Sequence, residues 1–185
     1  MTILAAVKNP TTKEITLLSD SLATDTVTKH FTWCKWVEFK NFYVWISGSM
    51  HALLVLQEYL TEDLNKIKIK SKKDVIEIFK YIEATMAVEL NAKRCVTDDR
   101  DTMDTDILVI TKNWRMFKCS QYIDVDEYDD IAIIWSWFYY MQAALDTLQK
   151  LELLTIDNLI EAMETVYKYK ANCGWPTYLI NFNYK

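Results

Sequence analysis

Twice along this chain the apolar residues change period, from alternation to a repeat of three and four. That double switch constrains the fold more than any other feature. Residues 2–8 (TILAAVK) and 14–19 (EITLLS) read as short strands joined by a turn at 9–13. Residues 33–39 (WCKWVEF) alternate, and 42–47 (FYVWIS) form a denser apolar run after Lys40-Asn41, the sign of a tight turn. Leu53, Leu54, Leu56, Tyr59, Leu60, Leu64 and Ile67 then follow helical spacing. Ser71, with Asp74 three residues on, opens a second helix that runs to about Arg94. Residues 105–111, 114–119 and 131–136 read as strands again, with Lys112-Asn113 as a turn. Residues 138–151 and 156–170 read as two more helices, the second capped by Thr155, and 177–182 as a last strand. Each helix pair needs a sheet face to cover, and each sheet needs its other face covered. An α+β sandwich of four layers, helices, sheet, sheet and helices, meets both demands.

One domain spanning residues 1–185 is the natural size for this chain, whose hydrophobic fraction of 51% supports a substantial core. The net charge of −5, with no basic stripe, argues against nucleic acid as a partner. The acidic runs at 98–106 and 124–130 read as solvated loops and lack the glycine and final glutamate of an EF-hand. Cys34, Cys95, Cys119 and Cys173 show no zinc spacing, so no metal and no cofactor is expected. No signal peptide and no membrane span are read, and scattered thiols suit a reducing cytoplasm. Cys173-Gly174 with His51 or His30 is a weak candidate for a thiol nucleophile. The aromatic residues from Trp135 to Tyr140 fit either core or a partner surface.

Several ordered stretches carry a resemblance. They are Thr2-Ile3-Leu4, Leu18-Ser19-Asp20-Ser21-Leu22-Ala23-Thr24, Cys34-Lys35-Trp36-Val37, and Ile46-Ser47-Gly48-Ser49 before a helix. Together they resemble the opening of proteasome β subunits and of HslV-type peptidases, N-terminal-nucleophile hydrolases. The resemblance implies that Thr2, once Met1 is removed, is the nucleophile and its own α-amine the base, that Lys35 tunes the site, and that Asp20 orients Lys35. The chemistry is coherent. A threonine hydroxyl needs an adjacent base, and an α-amine titrating near neutrality supplies one. A nearby ammonium favours the alkoxide and helps keep the amine neutral.

The family's glycine-rich oxyanion loop would correspond to Trp45, Gly48 and Ser49, with Trp45 where its first glycine falls. Ser136 and Cys173 would take the supporting hydroxyl positions, while Lys170 stands where the family keeps an aspartate. The resemblance implies a homo-oligomeric ring, a peptide or unfolded-protein substrate, and an ATPase partner. Two readings stay open. One is an active threonine peptidase; the other is a catalytically degenerate relative serving as a structural or interaction module.

Overall fold

In the computed structural model, residues 3–20, 22–24, 29–31, 35–48, 52–53, 55–89, 105–120, 124–134, 138–168 and 177–183 are described. The chain divides into two compact units, Met1–Cys34 with Asp129–Lys185, and Lys35–Tyr128.

The first unit is built on β1 (Leu4–Asn9), β2 (Glu14–Asp20), β10 (Ile131–Ile134) and β11 (Thr177–Asn183), in the order β10-β1-β2-β11. All pairs are antiparallel, so one sheet is assembled from two distant stretches of chain. The β1–β2 turn forms because Asn9 folds onto its own backbone, its Oδ1 accepting the N–H groups of Thr11 and Thr12 at 3.0 and 3.2 Å. Alternation directs Ile3, Ala5, Val7, Leu18, Ile131 and Ile133 to one face. There they pack on α3 (Phe138–Lys150) and α4 (Ile156–Lys168) through Met141, Leu145, Leu159, Met163 and Val166. Thr155 caps α4 as the sequence predicts, its Oγ1 accepting the Asn158 N–H at 3.3 Å. A two-stranded hairpin of β3 (Leu22–Thr24) and β4 (Lys29–Phe31), absent from the sequence reading, completes this unit.

The second unit is a five-stranded antiparallel sheet, β5 (Trp36–Glu38), β6 (Phe42–Gly48), β7 (Thr105–Thr111), β8 (Met116–Cys119) and β9 (Val125–Tyr128), in sequence order. Phe42, Val44, Ile46, Ile107, Val109 and Phe117 pack against Val75, Ile78, Phe79 and Ile82 of helix α2 (Lys72–Glu89). Each unit therefore pairs one antiparallel sheet with a helical layer, the α+β class expected from the periodicity.

Three readings are corrected. The apolar repeat at 53–67 is not one helix. It holds a π-helical turn at Val55–Tyr59, then the short α1 (Thr61–Leu64). Leu60 N–H reaches back to the Val55 carbonyl, and Thr61 Oγ1 donates to the carbonyls of Leu56 and Gln57 at 3.1 and 2.9 Å. Beyond α1 the Lys40-Asn41 turn captures the chain. Asn65 Oδ1 accepts the Lys40 N–H, and Asn41 Nδ2 donates to the Ile67 carbonyl, each at 2.6 Å. The acidic run after Asp124 is a strand rather than a loop. Val125 is buried opposite Cys119, and the acidic side chains point outward along an edge. Arg115 closes on Glu127 with a two-point ion pair at 2.6 and 2.8 Å. Finally, Asp106 of the first acidic run is buried rather than solvated, within the strand read at 105–111, while the run before Thr105 lies outside the described residues.

Candidate functional site

In the first unit, Asp20 ends β2 with 0% exposure. Its Oδ1 accepts the backbone N–H of Ile3 at 3.1 Å, and its own N–H donates to the Ile3 carbonyl at 3.2 Å. The carboxylate thus grips the residue that directly follows Thr2. Thr177 of β11 stands opposite Asp20 in the ladder, and its Oγ1 lies 3.3 Å from the Tyr167 hydroxyl of α4. A buried carboxylate is costly unless such donors satisfy it, so its place at this strand end is specific.

In the second unit, Lys35 immediately precedes β5 and is only 4% exposed. Lysine is withdrawn from water to this degree only where polar partners receive it. Its carbonyl accepts the Ile46 N–H at 2.9 Å, which ties it to β6 two residues before Gly48. Gly48 ends β6, is exposed, and has φ of 116°, a region that disfavours any residue with a Cβ. Trp45 lies within β6, not in the loop that follows. It faces Trp36 across the ladder, and the two indoles stack at 5.4 Å with planes 16° apart. Tyr43 joins them on the same face, 5.7 Å from Trp45, and Lys112 Nζ sits 3.7 Å above the Tyr43 ring. The Trp45 indole, 1% exposed, is a structural member of this cluster.

Thr2, Ser49, Ser136 and Cys173 lie outside the described residues, as do His51, Lys170 and Trp135. Of the expected constellation, Asp20 falls in the first unit, and Lys35, Trp45 and Gly48 fall in the second. One feature had no signal in the sequence. Ser47, 1% exposed and next to Gly48, holds a buried hydroxyl with no hydrogen-bond partner among the described residues. Its cross-strand neighbour is Asp106, and nothing in a lone serine on an apolar strand marks it beforehand. Cys119 is a free, buried thiol whose pKa is pushed up to about 12, first by burial and then by the charges of Asp106, Asp124 and Glu83. Such a thiol is a poor nucleophile. Among the described residues no group of His, Cys, Asp or Glu side chains is placed to hold a metal ion, and no helix is long and apolar enough to cross a membrane.

Two antiparallel sheets, each with its own helical layer, form an α+β fold shared with proteasome-like proteins of known structure. No family model and no curated protein sequence matches the chain. Solved structures do. BPH from Thiobacillus denitrificans superposes with a TM-score of 0.81 at 15% identity, covering 100% of this chain and 99% of that one. The same protein has been solved in complex with epoxomicin, with a TM-score of 0.80. HslV from Trypanosoma brucei matches with a TM-score of 0.72 at 13% identity over 98% of this chain and 99% of that one. Anbu from Pseudomonas aeruginosa, described as a helical assembly, has a TM-score of 0.74 at 11% identity over 98% of this chain and 81% of that one.

Proposed function

We propose that this chain is a proteasome-like threonine peptidase or amidohydrolase, one domain over residues 1–185, with Thr2 as nucleophile after removal of Met1. The observation that carries the reading is the grip of buried Asp20 on the Ile3 amide. A fully buried carboxylate fixing the backbone beside Thr2 would hold residue 2 in place for reaction. In this reading the Thr2 hydroxyl attacks a peptide carbonyl and its α-amine takes the hydroxyl proton. Lys35 favours the alkoxide, and Asp20 orients Lys35 as well as residue 3. Backbone N–H groups of the loop from Gly48 and Ser49 receive the oxyanion. The leaving amine takes up the proton held by the α-amine, and water then hydrolyses the ester on Thr2. Ser136 and Cys173 support the threonine from the remaining loops.

The same reading makes the chain a cytoplasmic homo-oligomeric ring acting on peptides or unfolded protein, fed by an ATPase partner. The helical assembly of Anbu supports the oligomer, and the free thiol of Cys119 suits a reducing compartment. A second reading, a degenerate module of the same fold, is favoured by Lys170 and Trp135.

Intact mass and inhibitor labelling separate the two. The active reading expects a mass lacking Met1 and a covalent epoxomicin adduct that disappears in Thr2→Ala and in Lys35→Ala. Retained Met1, or an adduct surviving in Thr2→Ala, would refute it. An adduct unchanged in Lys35→Ala would remove Lys35 from its assigned role.

A further inference from the structure

The second unit carries a row of exposed lysines. Residues 65–73 (NKIKIKSKK) hold five lysines and no acid, in a chain whose net charge is −5. Ile69 is buried and Ile67 packs on the same core, while Lys66, Lys68 and Lys70 between and beside them are exposed. Lys72 and Lys73 extend the row into the first turn of α2, where positive charge is disfavoured by the helix dipole. All five side chains are exposed. Lys66 pairs with Asp63 and Lys72 with Asp126 at surface positions, contacts that contribute little in water.

A complementary surface lies in the first unit. Helices α3 and α4 leave an apolar groove of about 650 Å³ lined by Tyr140, Ala144, Leu148, Glu161, Ala162 and Val166. Tyr139 and Tyr140 stand 83% and 63% exposed. Asp157 lies one helical turn before Glu161, and residues 129–168 carry seven acidic side chains against two basic ones.

We propose that the lysine row of one copy seats on the α3–α4 groove of a second copy. The aliphatic lysine stems cover the apolar floor, while the ammonium groups reach Asp157, Glu161 and the tyrosine rings. The row interleaves isoleucine rather than aromatic residues and contains no arginine, which fits an acidic protein surface better than nucleic acid. The two surfaces differ, so each copy offers both halves and the contact repeats as a ring or filament. This contact rests on the homo-oligomeric part of the proposed function.

Sedimentation of the full chain at low and high salt tests the contact, with circular dichroism confirming that each variant is folded. The wild type should assemble at low salt and dissociate as salt rises. Lys68→Glu/Lys70→Glu/Lys73→Glu and Asp157→Lys/Glu161→Lys should each sediment as monomers, and their mixture should reassemble. Assembly that survives charge reversal overturns this contact and leaves the oligomeric reading standing. A wild type that is monomeric at every salt and concentration overturns both. Folded variants that fail to reassemble when mixed overturn the contact, as does wild-type retention of a labelled single-stranded oligonucleotide that the lysine-reversed variant loses.

Discussion

At Asp20 a single carboxylate oxygen holds the Ile3 amide inside the protein, and that bond can be separated from the charge that forms it. Asn keeps an acceptor in the same place, whereas Ala leaves a buried N–H without one. Asp20→Ala should cost about 2 kcal/mol in chemical denaturation and expose the Ile3 amide to exchange, while Asp20→Asn should cost less than half as much. Equal losses in the two variants would show that charge, not the backbone grip, sets the stability. Cys119 gives a test against pH. Its folded pKa, about 12, lies above the ordinary 9.0, so its contribution is complete below about pH 9. Above that the unfolded thiol loses its proton and the folded one keeps it, and stability falls by up to about 1.4 kcal/mol per pH unit until the folded pKa is reached. Cys119→Ala should flatten this slope in urea melts between about pH 9 and pH 11, and parallel slopes would rule the thiol out. At this scale the strand ends at Asp20 and Gly48 are legible in the sequence, because the apolar runs of β2 and β6 stop there. The apolar pattern places Trp45 in a strand, as found, whereas the resemblance assigns it to the oxyanion loop. The pairing of its indole with Trp36 is not visible in sequence. Ser47 was invisible for a related reason: a missing hydrogen bond is a property of three-dimensional neighbours.

Helix α2 begins where the sequence placed it, because its capping chemistry is local. Asp74 Oδ2 accepts the N–H groups of Lys70 and Ser71 at 2.9 and 2.8 Å and the Ser71 hydroxyl at 3.0 Å. These bonds, that from the Lys70 amide first, hold its carboxyl below the usual aspartate range. The contribution is therefore present above the ordinary aspartate pKa and lost as acid protonates the group. Asp74→Ala should lower stability by about 1 kcal/mol at neutral pH and speed amide exchange in the first turn of α2. Unchanged exchange there would mean that packing on the sheet, not the cap, sets the helix start. The stretch at 53–67 failed as a helix for the opposite reason, since its apolar spacing is helical while the groups that break it come from elsewhere. Asn41 and Lys40 take up Ile67 and Asn65, a contact between residues about 25 apart that no local pattern reveals. The acidic β9 was missed likewise, because Arg115, ten or more residues away in sequence, pairs with Glu127 on the edge.

The two units differ in how the chain builds them. The second is one continuous stretch, Lys35–Tyr128, whereas the first joins Met1–Cys34 to Asp129–Lys185. Strand β11 pairs with β2 over seven residues, from Thr177 opposite Asp20 to Asn183 opposite Glu14. Removing it would leave one side of β2 without hydrogen-bond partners and strip Thr177 from beside Asp20. Closing so distant a pair also costs loop entropy that only the completed sheet repays, which makes the first unit the slower to form. The continuous unit has no such dependence for its own strand pairs. A chain ending at residue 176 should therefore lose amide protection in β1 and β2, yet keep the exciton-coupled circular dichroism of the Trp36–Trp45 stack. Loss of both signals together would make the two units a single cooperative folding unit. Protection retained in β1 and β2 would mean that β10 and the helices suffice to hold the sheet, and that β11 is dispensable to the strand carrying Asp20.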